Sequence, residues 1–490
     1  MGQDIDSGSV DATAFFSILM LDKLQESIRS AGTPEEWEGI FRSLENSGPF
    51  AGAAAECPFF VVAPPTFQQN NSWSKFRSKD IDEATWNLLT QRGFMPLDRK
   101  LFERVTHNDL LEVTGSKATH PLVDLDYGLV LTPDGKMKNL TLDFGHLMRL
   151  QKIDAHYRRF PSAVFSVGAL RARSLLDLGS PKPWIVPEIE INSRAELDDI
   201  IERLNEKIST TSAQIWFRGQ TSDRLLDSGL SGQLLCPWRE TPESSLVPSL
   251  YRNAWHGGEL RPHAEKLLRI QKYVTFMQSY LKMQSFTTRE PGGLRTEKLS
   301  PAWGYYAGGI TANTIDSDNN ILSSRDYHPA FNGIQRTFFL QHYGLPSNVL
   351  DITRDLDVSL YFAQNRALKD GSVVPLGDDA GSAVVYVFVL VPEIDRFLDS
   401  SVLAESYGLL RPERQKCGLL CGASFINRNH YARYIGLKLR LKKNIGYDRN
   451  ITTSYIYPPR EEDKFLDALL SFSERAGEEL GDLLPFSPVV

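Results

Sequence analysis

The chain of 490 residues contains few cysteines and carries no excess of positive charge. Its cysteines are too few and too widely spaced for a disulfide framework in a chain of this length, and they stand at Cys57, Cys236, Cys417 and Cys421. We therefore expect a reducing compartment. The 54 basic and 61 acidic residues give a net charge of −7, which argues against general binding to nucleic acids.

Long hydrophobic runs are also missing, so the sequence predicts no membrane span. The first apolar stretch, residues 12–21, follows an acidic start, whereas a secretory signal requires a basic region and a small-residue cleavage site. We therefore predict a soluble, cytoplasmic protein with no membrane partner.

The sequence lacks the short motifs of several enzyme classes. It contains no Gly-x-x-x-x-Gly-Lys, no Gly-x-Ser-x-Gly and no His-Glu-x-x-His, which argues against P-loop enzymes, α/β hydrolases and zinc proteases. Cys417 and Cys421 have no second cysteine pair, and Asp351, Asp355 and Asp357 would not converge if a helix begins between them. We expect no bound metal and no metal-dependent nuclease.

The composition that is present is typical of a folded, globular protein. Hydrophobic residues make up 41% of the chain and charged residues 23%, and the length suggests two or three domains. Two prolines within residues 180–183 indicate a linker. We place an N-terminal α/β region of unknown role at residues 1–180 and a second domain at residues 185–470, in which the polar residues 285–330 form a loop insertion.

Hydrophobic periodicity predicts the main elements of the fold. A capping box at Ser193 and Glu196 marks one helix start. Helices are predicted at residues 12–41 (two helices), 193–204, 263–283 and 461–472. Strands are predicted at residues 129–131, 137–142, 215–217, 383–391 (buried on both faces) and 437–443. The fold class is α+β, with a mixed sheet and flanking helices in the C-terminal domain and a smaller mixed α/β region before it.

The first candidate for chemistry is a polar group that follows a short apolar strand. Trp216 and Phe217 end the strand, and Arg218, Gly219 and Gln220 come next. An arginine just past a strand end, followed by a glycine that permits close approach, suits a planar donor aimed at a phosphate or carboxylate. The same pattern equally suits an arginine that caps backbone carbonyls or pairs with a buried acid.

The second candidate is Arg252 in residues 248–252, because a diphosphate requires two separated arginines. A plain surface arginine is the alternative there.

The third candidate, residues 341–353, is the densest polar stretch of the chain. His342 suits proton transfer near neutral pH, and Tyr343 suits stacking on a ring. Asp351 and Thr353 are predicted to stand where a helix begins, with Thr353 as its N-cap. Each of these side chains also suits a hydrogen-bonded core position.

Together these motifs resemble the successive signatures of the FRG domain, which is named for its Phe-Arg-Gly. The resemblance covers about residues 185–470. It rests on Phe217-Arg218-Gly219-Gln220, Pro248-Ser249-Leu250-Tyr251-Arg252, Gln341-His342-Tyr343-Gly344-Leu345-Pro346, Leu350-Asp351, Thr353 and Leu360-Tyr361-Phe362-Ala363. The family is found widely in bacteria and phages, often beside defence or toxin genes, so the resemblance implies a role in such conflict.

The resemblance also implies a polar cleft for an anionic ligand such as a nucleotide. Its chemistry is assigned to Gln220, His342, Tyr343, Asp351 and Thr353, and its ligand contacts to Arg218, Arg252 and Tyr361. The motifs are similar to those of ADP-ribosyltransferases. In that comparison Arg218 grips the pyrophosphate of NAD, Tyr343 or Tyr361 stacks on the nicotinamide, and a carboxylate stabilises the ribosyl centre.

Two functions stay open at this point. One is an NAD-using effector that resembles an ADP-ribosyltransferase. The other is a non-catalytic module in which the same residues form a hydrogen-bonded network that recognises a phage or host component. If the domain forms the ligand-binding cleft, the N-terminal region would sense a trigger or recruit a target. An open cleft requires Arg218, Arg252 and His342 around one cavity, whereas a structural network has them satisfied by neighbours.

Overall fold

The computed structural model describes most of residues 186–226 and 341–486 and parts of the rest. The described residues are 12–45, 95–96, 122–124, 129–131, 137–139, 142–143, 146–147, 166, 169, 172–173, 175–176, 186–226, 242–249, 260–283, 341–347, 349–368, 371–391, 397–401, 404, 408–420, 429–480, 483 and 485–486. The predicted linker at 180–183 and the predicted insertion at 285–330 lie outside these residues.

A seven-stranded mixed sheet forms the centre of the described structure. Its strands are β1 (Glu188–Ile191), β2 (Gln214–Gln220), β3 (Leu350–Thr353), β4 (Val384–Leu390), β5 (Phe397–Asp399), β6 (Cys417–Leu420) and β7 (Ile435–Leu441). The order across the sheet is β5-β6-β3-β2-β4-β7-β1. Neighbouring strands are antiparallel except for β7 and β1, which are parallel.

The described helices surround this sheet and also form a group at the N-terminal end. They are α1 (Ala12–Ser30), α2 (Pro34–Glu45), α3 (Arg194–Ile208), α4 (Leu260–Met283), α5 (Leu356–Gln364), α6 (Leu410–Arg414), α7 (Thr453–Ile456) and α8 (Lys464–Ala476). Among the described helices, none is long and apolar enough to cross a membrane.

Short elements complete the description. The 3-10 turns are Gly377–Ser382, His430–Tyr434 and Gly477–Leu480. The small strands outside the central sheet are Met95–Pro96, Leu122–Asp124, Leu129–Leu131, Met137–Asn139, Leu142–Asp143, His146–Leu147, Leu225–Leu226, Glu243–Ser244, Asn365–Ala367 and Val373–Pro375.

The core lies on both faces of the central sheet, because side chains of a strand point alternately to opposite faces. Every residue of β4 is buried. Trp216 and Tyr386 belong to the core of one face, and Phe217 and Val387 belong to the core of the other, together with residues of α3 and α5. The apolar, β-branched sequence of β4 therefore reflects its position between two packed layers.

The first two helices pack on α4. Arg261 of α4 donates from Nη1 to the backbone oxygen of Arg29 at 2.7 Å, and Gln271 donates from Nε2 to the backbone oxygen of Leu44 at 3.4 Å. The hydroxyl of Tyr273, also on α4, donates to the backbone oxygen of Leu483 at 2.6 Å. The beginning of the chain is thus linked through α4 to a segment that follows α8.

The structure confirms the α+β fold class and several predicted elements. The capping box begins α3, where the Ser193 hydroxyl accepts a hydrogen bond from the backbone N–H of Glu196 at 3.2 Å. The predicted hairpin is present, since Leu129–Leu131 pairs antiparallel with Met137–Asn139. The residues predicted as a strand buried on both faces form β4.

Two local predictions were wrong. Strand β2 does not end at Phe217 but continues through Arg218 to Gln220, because β4 pairs with it over that whole length. Thr353 is not an N-cap but the last residue of β3, and the carboxylate of Asp355 caps α5 instead. In both places pairing with a strand from a distant part of the chain determines where the element ends.

Gly219 allows α5 to lie directly on β2. A Cβ atom at position 219 would stand 1.8 Å from the backbone oxygen of Ser359 and 2.8 Å from the backbone nitrogen of Ala363. Because backbone atoms of a packed helix cannot rotate away, only glycine fits at this position.

We expect Gly219→Ala to lower the free energy of unfolding by about 3 kcal/mol, because α5 must move away from the sheet. Chemical denaturation measures this change. Gly446→Ala is the matched control, since nothing lies within 4 Å of a Cβ built there. Equal stability of the Gly219→Ala protein and the control would contradict the close packing of α5 on β2.

Candidate functional site

The predicted polar motifs meet where strands β2 and β3 separate. These two strands pair at one position, Thr353 with Phe217. Beyond that pair the side chain of Arg218 spans the gap. Its Nη1 donates to the backbone oxygen of Asp351 at 2.7 Å and lies 2.8 Å from Oδ1 of the same residue. Arg218 therefore joins the two strands through both the backbone and the carboxylate of Asp351.

Gln341 holds the same carboxylate from another direction. Its Nε2 donates to Oδ1 of Asp351 at 2.6 Å, and its Oε1 accepts a hydrogen bond from the hydroxyl of Ser347. The backbone N–H of Ser347 in turn donates to Oγ of Ser249 at 3.0 Å. A chain of hydrogen bonds thus links Asp351 to residues from all three polar motifs.

Asp351 is ionised over a wide pH range. Desolvation raises the pKa of its carboxyl group, but the charge of Arg218 and the hydrogen bond from Arg218 outweigh desolvation, so the pKa falls to about 2. The side chain of Asp351 is 37% exposed, whereas that of Arg218 is 13% exposed. The pair therefore presents a fixed carboxylate toward solvent above a largely buried guanidinium group.

Two buried polar atoms on β2 have no hydrogen-bond partner in the described part of the chain. They are Nε of Arg218 and Oε1 of Gln220. Buried polar atoms are nearly always hydrogen-bonded, so such atoms require an explanation. Tyr386 stands opposite Arg218 on β4 but donates its hydroxyl to Asp223 at 2.7 Å. A buried donor of Arg218 and a buried acceptor of Gln220 on the same strand thus lack partners among the described residues.

His342 is a buried residue whose charge and that of Asp351 act on each other. It is 6% exposed, and its Nε2 lies 3.1 Å from the hydroxyl of Ser400. Burial lowers the pKa of His342 to about 4, with the charge of Asp351 opposing this shift and the charge of Arg411 adding to it. The imidazole is therefore neutral near pH 7.

The two tyrosines expected to stack on a ligand are core residues. The hydroxyl of Tyr343 donates to Oδ2 of Asp463 at 2.7 Å, and its ring packs edge-on against Phe465. The hydroxyl of Tyr361 donates to Oγ1 of Thr453 at 2.9 Å. Both tyrosines are at most 3% exposed, so neither offers an open ring face to a ligand.

Thr353 also has a partner within the fold. Its hydroxyl donates to the backbone oxygen of Gln415 at 2.7 Å and accepts from the backbone N–H of Asp355. Gln415 is itself buried and donates to the backbone oxygen of Ile456. Arg252, the second arginine expected to contact a ligand, lies outside the described residues.

Of the predicted site residues, the structure thus brings Arg218 and Asp351 into contact, with His342 close enough for its charge to act on Asp351. Gln220 lies two positions after Arg218 on β2. The structure adds Gln341, which the sequence placed in a motif but assigned no role. In the sequence Gln341 stands directly before His342 in a polar stretch. That position does not reveal its contact with Asp351, which lies ten residues later.

Comparison with known protein families identifies one domain in the chain. The model of the FRG domain matches residues 312–372, a range that includes Gln341, His342 and Asp351 but begins well after the segment that carries Arg218. The chain is therefore an FRG domain-containing protein. No curated protein and no solved structure gave a match.

The lowered pKa of Asp351 predicts a specific acid sensitivity. A carboxyl group with a folded-state pKa near 2 and an ordinary value of 3.8 stabilises the fold above about pH 4, and this stabilisation is lost as the pH falls toward 2. We expect wild type to be more stable than Asp351→Asn at pH 6, and this advantage to shrink between pH 4 and pH 2. Acid-dependent chemical denaturation of both proteins measures it.

The matched control is Glu461→Gln, which removes one negative charge at an exposed position. We expect its stability to follow that of wild type at each pH. An advantage of wild type over Asp351→Asn that stays constant down to pH 2 would contradict the ion pair with Arg218.

Proposed function

We propose that the FRG domain binds a nucleotide at the Arg218–Asp351 pair. The observation that carries this proposal is a partly exposed, ionised carboxylate held by two side chains, together with buried polar atoms of Arg218 and Gln220 that lack partners among the described residues. A carboxylate accepts hydrogen bonds from ribose hydroxyls, and a guanidinium N–H donates to phosphate. A nucleotide carries both groups within one molecule.

The charge balance of the site supports a ligand that is both a donor and an acceptor. Asp351 already neutralises Arg218, so the described site is not strongly cationic. A ligand that carried only negative charge would meet the carboxylate of Asp351 and be repelled. A ribose phosphate would place its hydroxyls toward Asp351 and its phosphate toward Nε of Arg218.

NAD is the first nucleotide to test, because the motifs resemble those of ADP-ribosyltransferases. Asp351 has the charge required to stabilise a positive ribosyl centre, and it stays ionised at neutral pH. NAD would supply the ADP-ribosyl group, and the protein would hold and orient it. The buried rings of Tyr343 and Tyr361 do not support the stacking role that the resemblance assigned to them.

A second candidate function is binding without catalysis. It is favoured by the number of motif residues that have partners inside the fold, namely His342, Tyr343, Thr353 and Tyr361. In that case the same pair would recognise a nucleotide or a phage or host component and release no product.

We expect Arg218→Ala to weaken NAD binding about 10- to 100-fold, since a charged hydrogen-bond donor is lost. Arg218→Lys should recover only part of the affinity, because lysine cannot donate from a planar fork. Isothermal titration of NAD measures binding, and chromatography of the same samples measures release of nicotinamide.

Arg203→Ala is the matched control, because Arg203 lies on the exposed side of α3 and pairs with Asp199. Circular dichroism checks that each variant is folded. Binding that is equally tight in a folded Arg218→Ala protein would refute the proposed site. Binding without release of nicotinamide would support the second candidate function.

A further inference from the structure

Arg411 is a fully buried arginine that forms no hydrogen bond with Arg218 or Asp351 in the described part of the chain. It lies in α6 and is 1% exposed. Its guanidinium group lies over the rings of Tyr343 and Tyr457, with distances of 4.8 and 5.4 Å from Cζ to the ring centres. These cation–π contacts position the group but do not neutralise its charge.

Hydrogen bonds satisfy one nitrogen of this group. Nη1 donates to the backbone oxygen of Phe486 at 2.8 Å and approaches that of His342 at 3.5 Å. Nε and Nη2 are buried and have no hydrogen-bond partner in the described part of the chain. Nε and Nη2 lie on one edge of the guanidinium plane, and this edge binds both oxygens of a carboxylate or phosphate side-on.

The acid whose charge acts on Arg411 is Asp463, and its carboxylate oxygens already accept hydrogen bonds from other groups. Asp463 accepts hydrogen bonds from the hydroxyl of Tyr343 and from the backbone N–H groups of Phe465 and Leu466 at the start of α8. Asp463 therefore acts as a helix cap. Its charge acts on Arg411, but no direct ion pair joins the two among the described contacts. A buried cation without a paired anion is costly, so a bound anion would stabilise this part of the fold.

We propose that the Nε and Nη2 edge of Arg411 binds a small oxyanion, either inorganic phosphate or a carboxylate. Two oxygens of the anion would accept hydrogen bonds from these two nitrogens, and the tyrosine rings would hold the guanidinium plane in place. This site is independent of the nucleotide proposal, because it uses different donors.

Equilibrium dialysis of the full chain against radiolabelled phosphate, and separately against radiolabelled acetate, tests the proposal. We expect about one equivalent of one of the two anions to bind wild type. Because phosphate is tetrahedral and the carboxylate of acetate is planar, the anion that binds shows which geometry the site accepts. Arg411→Met should lose this equivalent, and Arg411→Lys should bind at least about tenfold more weakly because it lacks the fork. Arg218→Ala should keep it, which separates this site from the nucleotide site.

Arg414→Met is the matched control, since Arg414 lies on the same helix but pairs with Glu462 at 2.7 Å. The control should bind as wild type does. A thermal midpoint that rises by about 2 °C with the bound anion at constant ionic strength, relative to chloride, would add support. Wild type that binds neither anion, or Arg411→Met that binds equally well, would overturn the proposal. If Arg411→Met does not fold, the dialysis of wild type and of Arg411→Lys still tests the proposal.

Discussion

The contact between Arg218 and Asp351 is the interaction on which the described site depends. It joins β2 to β3 where their backbone pairing stops, so a side chain does what a sheet hydrogen bond does elsewhere. The next residue, Gly219, admits α5 against the same strand. Arginine and glycine thus act on opposite faces of one strand, and this explains physically why the two occur side by side in the Phe-Arg-Gly motif.

Other residues of the motifs form hydrogen bonds inside the fold around this contact. Tyr343, Thr353 and Tyr361 have their hydroxyl groups bonded inside the fold. Tyr343 lies before β3, Thr353 ends β3 and Tyr361 lies on α5, so these bonds hold the elements around Asp351, whose side chain stays 37% exposed. Such support is how proteins keep a binding group within the narrow limits that recognition requires. The same arrangement explains why a motif rich in polar residues contains few that are open to solvent.

The sequence predicted the fold class and the regular elements well, because hydrophobic periodicity reports burial directly. The buried strand β4 and the capped helix α3 are examples. It also identified Arg218 and Asp351 as unusual, since polar groups beside apolar strands require a reason. It did not reveal that they contact each other, because 133 residues separate them. Nor did it show that Tyr343 is buried, because its partner Asp463 lies 120 residues later in the chain.

The central claim is that Arg218 and Asp351 form a ligand site and not only a link between two strands. A crystal of the protein grown or soaked with NAD tests this claim most directly. The account predicts ribose hydroxyls within hydrogen-bond distance of the Asp351 carboxylate and a phosphate oxygen next to Nε of Arg218. A nucleotide bound elsewhere, or none at saturating NAD, would contradict it.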